Sequence, residues 1–447
     1  MPIKLAQSTL YKIVIVALTA LTSGLNLDDG PGEDVAHSRL NYEAGRGSNF
    51  LGGFASTFYA MLPNLYLDWW QYLIIIQVGL AGFGTYLFFK ELIIDCSKKY
   101  FITTIVFSYL VLNLSAASTR DGMMIASTFA ALGIASQRIQ NKAYVVCTIL
   151  FFVFAFTFRP WLAFAFIFFL FYYIRHKTHL KPLVSTICCI ALVTAPSIVE
   201  LIANKNPSIK PGYPQQTVMI HDLASTFCLS PIPETRKNAY NGLIKIVYDK
   251  ESLKRLCIHY KPNTWQSSVT PSLSDPLFPS SVPPLKTIAP GDEVNYQALK
   301  SSWIELIISD PSNYLQNHLY FLTQVLIGGE SPQFSLKSSI SDFLSTPKAS
   351  YALDLADSLY DTPWKIFIQL HFLAPIITFT FIGVLYARRF SLIFNPLFPN
   401  LVWILLVWIG LTTLGYVSDN GRYTYLPSLI FYAKILEETI RSIESKP

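Results

Sequence analysis

The feature that most limits what this chain can fold into is the repetition of long apolar runs with almost no charge inside them. Stretches such as "YLIIIQVGLAGFGTYLFF" and "LVSTICCIALVTAPSIV" contain no Asp, Glu, Lys, Arg or His. In water each run would need an equally large apolar partner, whereas lipid accepts it without one. Composition points the same way, with 14% charged residues against roughly 25% in soluble domains. The chain is therefore expected to be an all-α integral membrane protein whose main partner is the lipid bilayer.

Ten spans are expected, at about 10–26, 70–89, 100–117, 121–137, 143–158, 161–174, 183–203, 364–387, 400–417 and 423–437. Several fall short of the roughly 20 residues of an ideal span. This divides the chain into an N-terminal membrane region, 1–203, an extracytoplasmic segment, 204–363, between spans seven and eight, and a C-terminal membrane region, 364–447. The first run has some signal-peptide character, with Lys4 and Lys12 ahead of an apolar stretch ending in "LTSG", but it is read as a retained span.

Basic residues set the orientation. With a cytoplasmic N-terminus, the inside segments carry fifteen Lys and Arg, among them Lys90, Lys98, Lys99, Lys142, Arg175, Lys177 and Lys181. The short outside loops carry five, Arg39, Arg46, Arg120, Arg159 and Arg422. The positive-inside rule then puts both termini on the cytoplasmic side of the membrane. The net charge of +6 is spread at span ends rather than along one face, so no nucleic-acid partner is expected.

Two segments face outward at length. In the first outer loop, 27–69, the stretch from about Asp34 to Ala44 has helical character, and "NFLGGFASTFYAML" reads as an amphipathic helix lying on the membrane surface. Segment 204–363 holds 16 of the 27 prolines, and a run such as "TPSLSDPLFPSSVPPLKTIAPGDE" excludes a regular helix or central strand there. An irregular domain is expected. Within it, Trp303, Leu306, Ile307, Leu315, Leu319 and Leu322 space out an amphipathic helix broken near Pro311, expected along the membrane. Cys228 and Cys257 are its two cysteines, and an oxidising compartment would let them pair. No cysteine or histidine spacing suggests a metal framework.

The remaining charges are the informative ones. Asp28, Asp29, Glu33 and Asp34 with His37 follow span one; Arg120 and Asp121 lie between spans three and four, Arg159 between five and six, and Asp419 with Arg422 between nine and ten. Loops as short as "STRDG", "FRPW" and "SDNGRY" hold their charges near the span ends, where charge is costly unless it pairs, meets water or binds something. Arginine offers paired donors to phosphate, and a neighbouring carboxylate can take a proton from a hydroxyl. His221 and Asp222 form a further polar pair in the outer segment, read first as a surface pair. No Walker, zincin, nucleophile-elbow or Rossmann pattern is present, so chemistry would rest on carboxylates and arginines.

The acidic first loop "DDGPGEDVAHSRLNYEAG", "TRDGMM" opening a span, "FTFRPWLAF", "WIELIISDPSNYL" and "SDNGRYTYLPSL" together resemble the layout of GT-C membrane glycosyltransferases, which use polyprenyl-phosphate-linked sugars. By that resemblance a first-loop aspartate, Asp34 or the pair Asp28 and Asp29, would be the catalytic base. Arg120, Arg159 and Arg422 would hold the donor phosphate, supported by His37, Asp121 and Asp419. The implied partners are a polyprenyl-phosphate sugar and a glycan or lipid acceptor of the cell envelope. No cofactor is required, although Asp28 and Asp29 could hold a divalent cation. A polysaccharide polymerase or ligase, and a non-enzymatic flippase for lipid-linked glycans, are the rival expectations.

Overall fold

The computed structural model describes residues 2–27, 53–94, 96–116, 120–137, 142–159, 161–203, 216–230, 232–243, 292–312, 314–316 and 318–319. Shorter pieces between these and a few positions from 429 to 440 are also described. Over these residues the chain is all-α apart from two minimal parallel pairings, Gly47–Ser48 with Ile209–Lys210 and Val269–Thr270 with Leu285–Lys286.

The N-terminal region folds as α1 (Pro2–Asn26), α2 (Gly53–Met61), α3 (Trp69–Ile93), α4 (Lys98–Ala116), α5 (Arg120–Ala135), α6 (Lys142–Phe158), α7 (Trp161–Ala165), α8 (Ile167–Thr178) and α9 (Pro182–Ala203). Three of them, α3, α4 and α9, are long and apolar enough to cross a bilayer. Helix α6 is apolar but shorter. The run expected as one span over 161–174 is two helices, divided at Phe166. Of the expected C-terminal spans, 364–387 and 400–417 lie outside the described residues. In the third, Leu429, Ala433, Leu436 and, just beyond it, Ile440 recur at helical spacing and are buried against the N-terminal core.

Helix α5 is the axis of the bundle: every residue from Asp121 to Ile134 is buried. At 16 residues it is about 24 Å long. Its small residues let α3 approach backbone to backbone. A Cβ on Gly133 would lie 2.2 Å from the Gly84 carbonyl oxygen, and one on Gly84 would lie 2.3 Å from the Phe129 carbonyl carbon. Close crossing on small residues is how helices gain contact where lipid supplies no hydrophobic drive between them.

Several hydroxyls inside the bundle find a partner one helical turn away. Thr85, Thr104, Ser108, Ser115 and Thr148 each donate to the carbonyl four residues earlier, as a backbone solvated by hydrocarbon requires. Tyr11 and Ser108 share a hydrogen bond of 2.9 Å between α1 and α4, and Thr148 and Tyr173 one of 3.1 Å between α6 and α8. Helix α9 has the opposite of a soluble pattern. Its buried residues are Ser185, Cys189 and Pro196, while Leu183, Ile187, Ile190, Ile198, Leu201 and Ile202 are exposed. Small residues inward and large aliphatics outward is the arrangement expected when lipid is the solvent.

The outer segment is less irregular than its prolines imply. Helices α10 (Gln216–Leu229), α11 (Pro233–Leu243) and α12 (Glu293–Ser309) share a core of their own, including Ile220, Leu223, Ala239, Leu243, Leu299 and Leu306. The helix expected to lie along the membrane turns Leu299, Trp303 and Leu306 to this core. It ends at Asp310, next to the expected break at Pro311, and helical turns resume through residue 319. The prolines are the reason the helices are few: they cluster in the 262–290 stretch between α11 and α12 and so leave the helices themselves intact.

Candidate functional site

Three of the sequence-selected residues meet at one end of the bundle. Asp121 is the second residue of α5, and Arg159 directly follows α6, where its N–H closes the last turn onto Ala155. Pro160 comes next and has no N–H with which to continue the helix. Arg159 donates from Nε to Asp121 Oδ1 at 2.7 Å and from Nη2 to Asp121 Oδ2 at 2.8 Å. The side chains are 11% and 8% exposed, so this is a two-pronged ion pair shielded from solvent. Arg120 stands beside it, half-buried, at the start of α5.

The pair changes the expected division of labour. Arg159 does not present its whole fork outward, because one edge is committed to Asp121. Both Asp121 oxygens accept from Arg159, so the carboxylate is committed to holding that guanidinium.

Beneath the pair lies an aromatic cluster. Phe54 and Phe58 of α2 pack edge-on against Phe154 and Phe158 of α6 at centroid distances of 5.6–6.1 Å. Ala55, Tyr59, Leu62, Leu73, Met123 and Phe158 complete the packing. Helix α2 therefore docks into the bundle end.

Charges of the correct sign hold both ends of α2. The Phe54 N–H donates to Glu200 Oε2 of α9 at 3.1 Å, so a carboxylate meets the helix N-terminus. Arg39 donates from Nη1 to the Tyr59 and Leu62 carbonyls at 3.2 and 3.1 Å, and its guanidinium lies 4.9 Å from the Trp69 ring centroid. Glu200 was not selected from sequence. The available signal was its isolation, since no acid occurs between Asp121 and Glu200.

Gln71 joins the end of α1 to this region by donating to the Leu27 carbonyl at 2.9 Å. The first-loop candidates Asp28, Asp29, Asp34 and His37 lie outside the described residues, as do Asp419 and Arg422.

A second polar centre sits in the outer segment. Asp222 on α10 accepts from Trp303 Nε1 through Oδ2 at 2.7 Å and meets His318 Nε2 through Oδ1 at 2.9 Å. The Asp222 and His318 side chains are 4% and 3% exposed. Asp222 thus pairs not with its sequence neighbour His221 but with a residue 96 positions on. The Tyr314 ring lies 4.5 Å from the His318 ring, tilted 48° to it, and burial, then the Asp222 carboxylate, pushes its phenol up to about 12. Nearby, Cys228 and Cys257 form a disulfide. Among the described residues no three His, Cys, Asp or Glu side chains gather as a metal site.

Comparison of the chain with known protein families, with characterised proteins and with solved structures found no match.

Proposed function

We propose that this chain is a GT-C-like glycosyltransferase that moves a sugar from a polyprenyl-phosphate donor to a glycan or lipid acceptor on the outer face of a bacterial plasma membrane. On this reading the bundle is completed to ten spans with both termini cytoplasmic, and residues 204–363 form the extracytoplasmic domain. The observation that carries the proposal is the Asp121–Arg159 pair, with Arg120 beside it, shielded at the mouth of an otherwise apolar helical bundle. Charges placed there at a desolvation cost suit a ligand that is itself anionic at one end and hydrocarbon at the other.

In the reaction, an acceptor hydroxyl oxygen attacks the anomeric carbon as the bond from that carbon to the donor phosphate oxygen breaks. The hydroxyl proton passes to a first-loop carboxylate, Asp34 or one of Asp28 and Asp29. The electron pair leaves with the lipid phosphate, whose growing charge Arg120, Arg159 and Arg422 stabilise. Asp121 fixes the orientation of Arg159 toward the phosphate, and Asp419 and His37 support the arrangement. Nothing in these steps requires a metal.

The test uses the full chain in lipid nanodiscs with a panel of radiolabelled polyprenyl-phosphate hexoses and membrane glycan as acceptor. Label should enter the acceptor and polyprenyl phosphate should be released. Both should stop in the Asp28→Asn/Asp29→Asn/Asp34→Asn variant while its thermal unfolding stays unchanged. Transfer at the wild-type rate in that variant would falsify the assignment of the base, and absence of transfer across the panel would remove the enzyme reading. Products that lengthen by many units would indicate a polymerase.

A further inference from the structure

At the end of the bundle away from Arg159, the turn joining α8 to α9 reads "RHKTHLK". It places Arg175, His176, Lys177, His179 and Lys181 within seven residues. Arg175, His176, His179 and Lys181 are exposed. Lys177 is half-buried and anchored, donating from Nζ to the Gln137 carbonyl at 3.1 Å. Gln137 in turn donates to the Leu87 carbonyl of α3 at 2.8 Å, so the turn is braced against two neighbouring elements.

The cations have almost no counter-charge. The chain contains no acid from Gly122 to Val199, which covers α6, α7, α8, the turn and nearly all of α9. Lys98 and Lys99 open α4 and Lys142 opens α6. Lys90 and Glu91, in the last turn of α3, and Asp95, between α3 and α4 in sequence, contribute two acids among these charges. Exposed Leu180 and Leu183 flank the cations with aliphatic surface, a combination suited to the boundary between headgroups and acyl chains.

The backbone supplies an independent observation. His179 has φ 54° and ψ 24°, the left-handed region, and among the described residues no other non-glycine residue has a positive φ. Glycine would end α8 in this conformation without steric cost. A side chain kept in a strained conformation points to a use for that side chain. Here the ring projects from the middle of an uncompensated cationic turn.

We propose that the α8–α9 turn is a binding site for the phosphodiester headgroup of an anionic phospholipid, contacted by His179, Arg175 and Lys181. The site is independent of the sugar-transfer reading. The strain at His179 makes it separable from fold stability, because relieving that strain should help the fold while removing a ligand contact.

The experiment places the full chain in nanodiscs of equal parts phosphatidylglycerol and phosphatidylcholine, extracts it gently, and counts the retained lipids by native mass spectrometry. Wild type should retain phosphatidylglycerol preferentially. Arg175→Gln/Lys181→Gln should reduce the preference by about fivefold or more. His179→Gly and His179→Asn should reduce it by about twofold while leaving the thermal midpoint equal or higher. Equal retention of the two lipids overturns the proposal, as does a preference unchanged in the His179 variants. Displacement of the lipid by millimolar inorganic phosphate also overturns it, since the site would then be one for free phosphate.

Discussion

Asp121 and Arg159 are joined by two parallel hydrogen bonds of 2.7 and 2.8 Å that fasten the adjoining ends of α5 and α6. The pair links the central helix of the bundle to the chain segment that leads into α7, so it has both a structural and a chemical role. These roles separate experimentally. Removing one partner leaves the other charge buried and unpaired, at a cost of about 3–5 kcal/mol, whereas replacing both with apolar groups of similar size is often neutral.

Asp121→Ala should therefore lower the thermal midpoint in detergent sharply. Asp121→Leu/Arg159→Met should recover most of that loss yet remain inactive in sugar transfer. If the double variant is stable and active, the pair is structural only. If it is no more stable than Asp121→Ala, the cost lies in something other than an uncompensated charge.

Glycine substitutions in α3 and α5 test the bundle axis. Gly133→Ala puts a methyl group 2.2 Å from the Gly84 carbonyl oxygen, a backbone atom that cannot rotate away, and should destabilise by about 3 kcal/mol through forced separation of the helices. Gly79, on the same α3, has no atom within 4 Å of a built Cβ. Gly79→Ala should instead stabilise by about 0.5–1 kcal/mol through helix propensity. Opposite signs in thermal unfolding are expected, and equal effects would remove the close crossing as the explanation.

Much of the bundle was legible because lipid solvation writes itself along the sequence as uninterrupted apolar runs. Spans at 70–89, 100–117 and 183–203 correspond to α3, α4 and α9 within a few residues. What the runs do not encode is partnership. Nothing local to Glu200 indicates that its carboxylate will meet the Phe54 N–H, 146 residues away in sequence. The same holds for Asp222, whose partners Trp303 and His318 lie across a proline-rich stretch that masks the helices on either side. Arg159 and Asp121 were both selected as charges at span ends, but their mutual pairing depends on antiparallel packing of α5 and α6, which is a tertiary fact.

The disulfide should dominate the stability of the outer segment. Cys228 and Cys257 close a loop with a sequence separation of 29, which corresponds to roughly 3–4 kcal/mol of reduced chain entropy in the unfolded state. Cys228 lies on α10, which shares the small core with α11 and α12, so the constraint acts directly on that core. Dithiothreitol, or Cys228→Ser/Cys257→Ser, should make 204–319 susceptible to protease at temperatures where the N-terminal bundle remains intact. Simultaneous digestion of both regions would show that the outer segment has no separate stability for the bridge to govern.

Tyr314 should give the outer segment a distinct alkaline limit. Its phenol is held at about 12 in the fold against an ordinary 10.0, first by burial and then by the Asp222 carboxylate. Between those values the unfolded chain has released the proton and the folded chain retains it. The folded state thus binds more protons, and stability falls as pH rises. The contribution is complete below about pH 10 and is lost on rising through about 12. Other groups also titrate there, so the comparison must be between wild type and Tyr314→Phe. Wild type should lose stability more steeply from pH 10 upward in urea titrations followed by Trp303 fluorescence. Asp222→Asn should narrow the window by removing the nearby negative charge, at the separate expense of its contacts to His318 and Trp303. Parallel pH profiles for wild type and Tyr314→Phe would show that the phenol is solvated in the folded protein and that the Asp222 cluster does not enclose it.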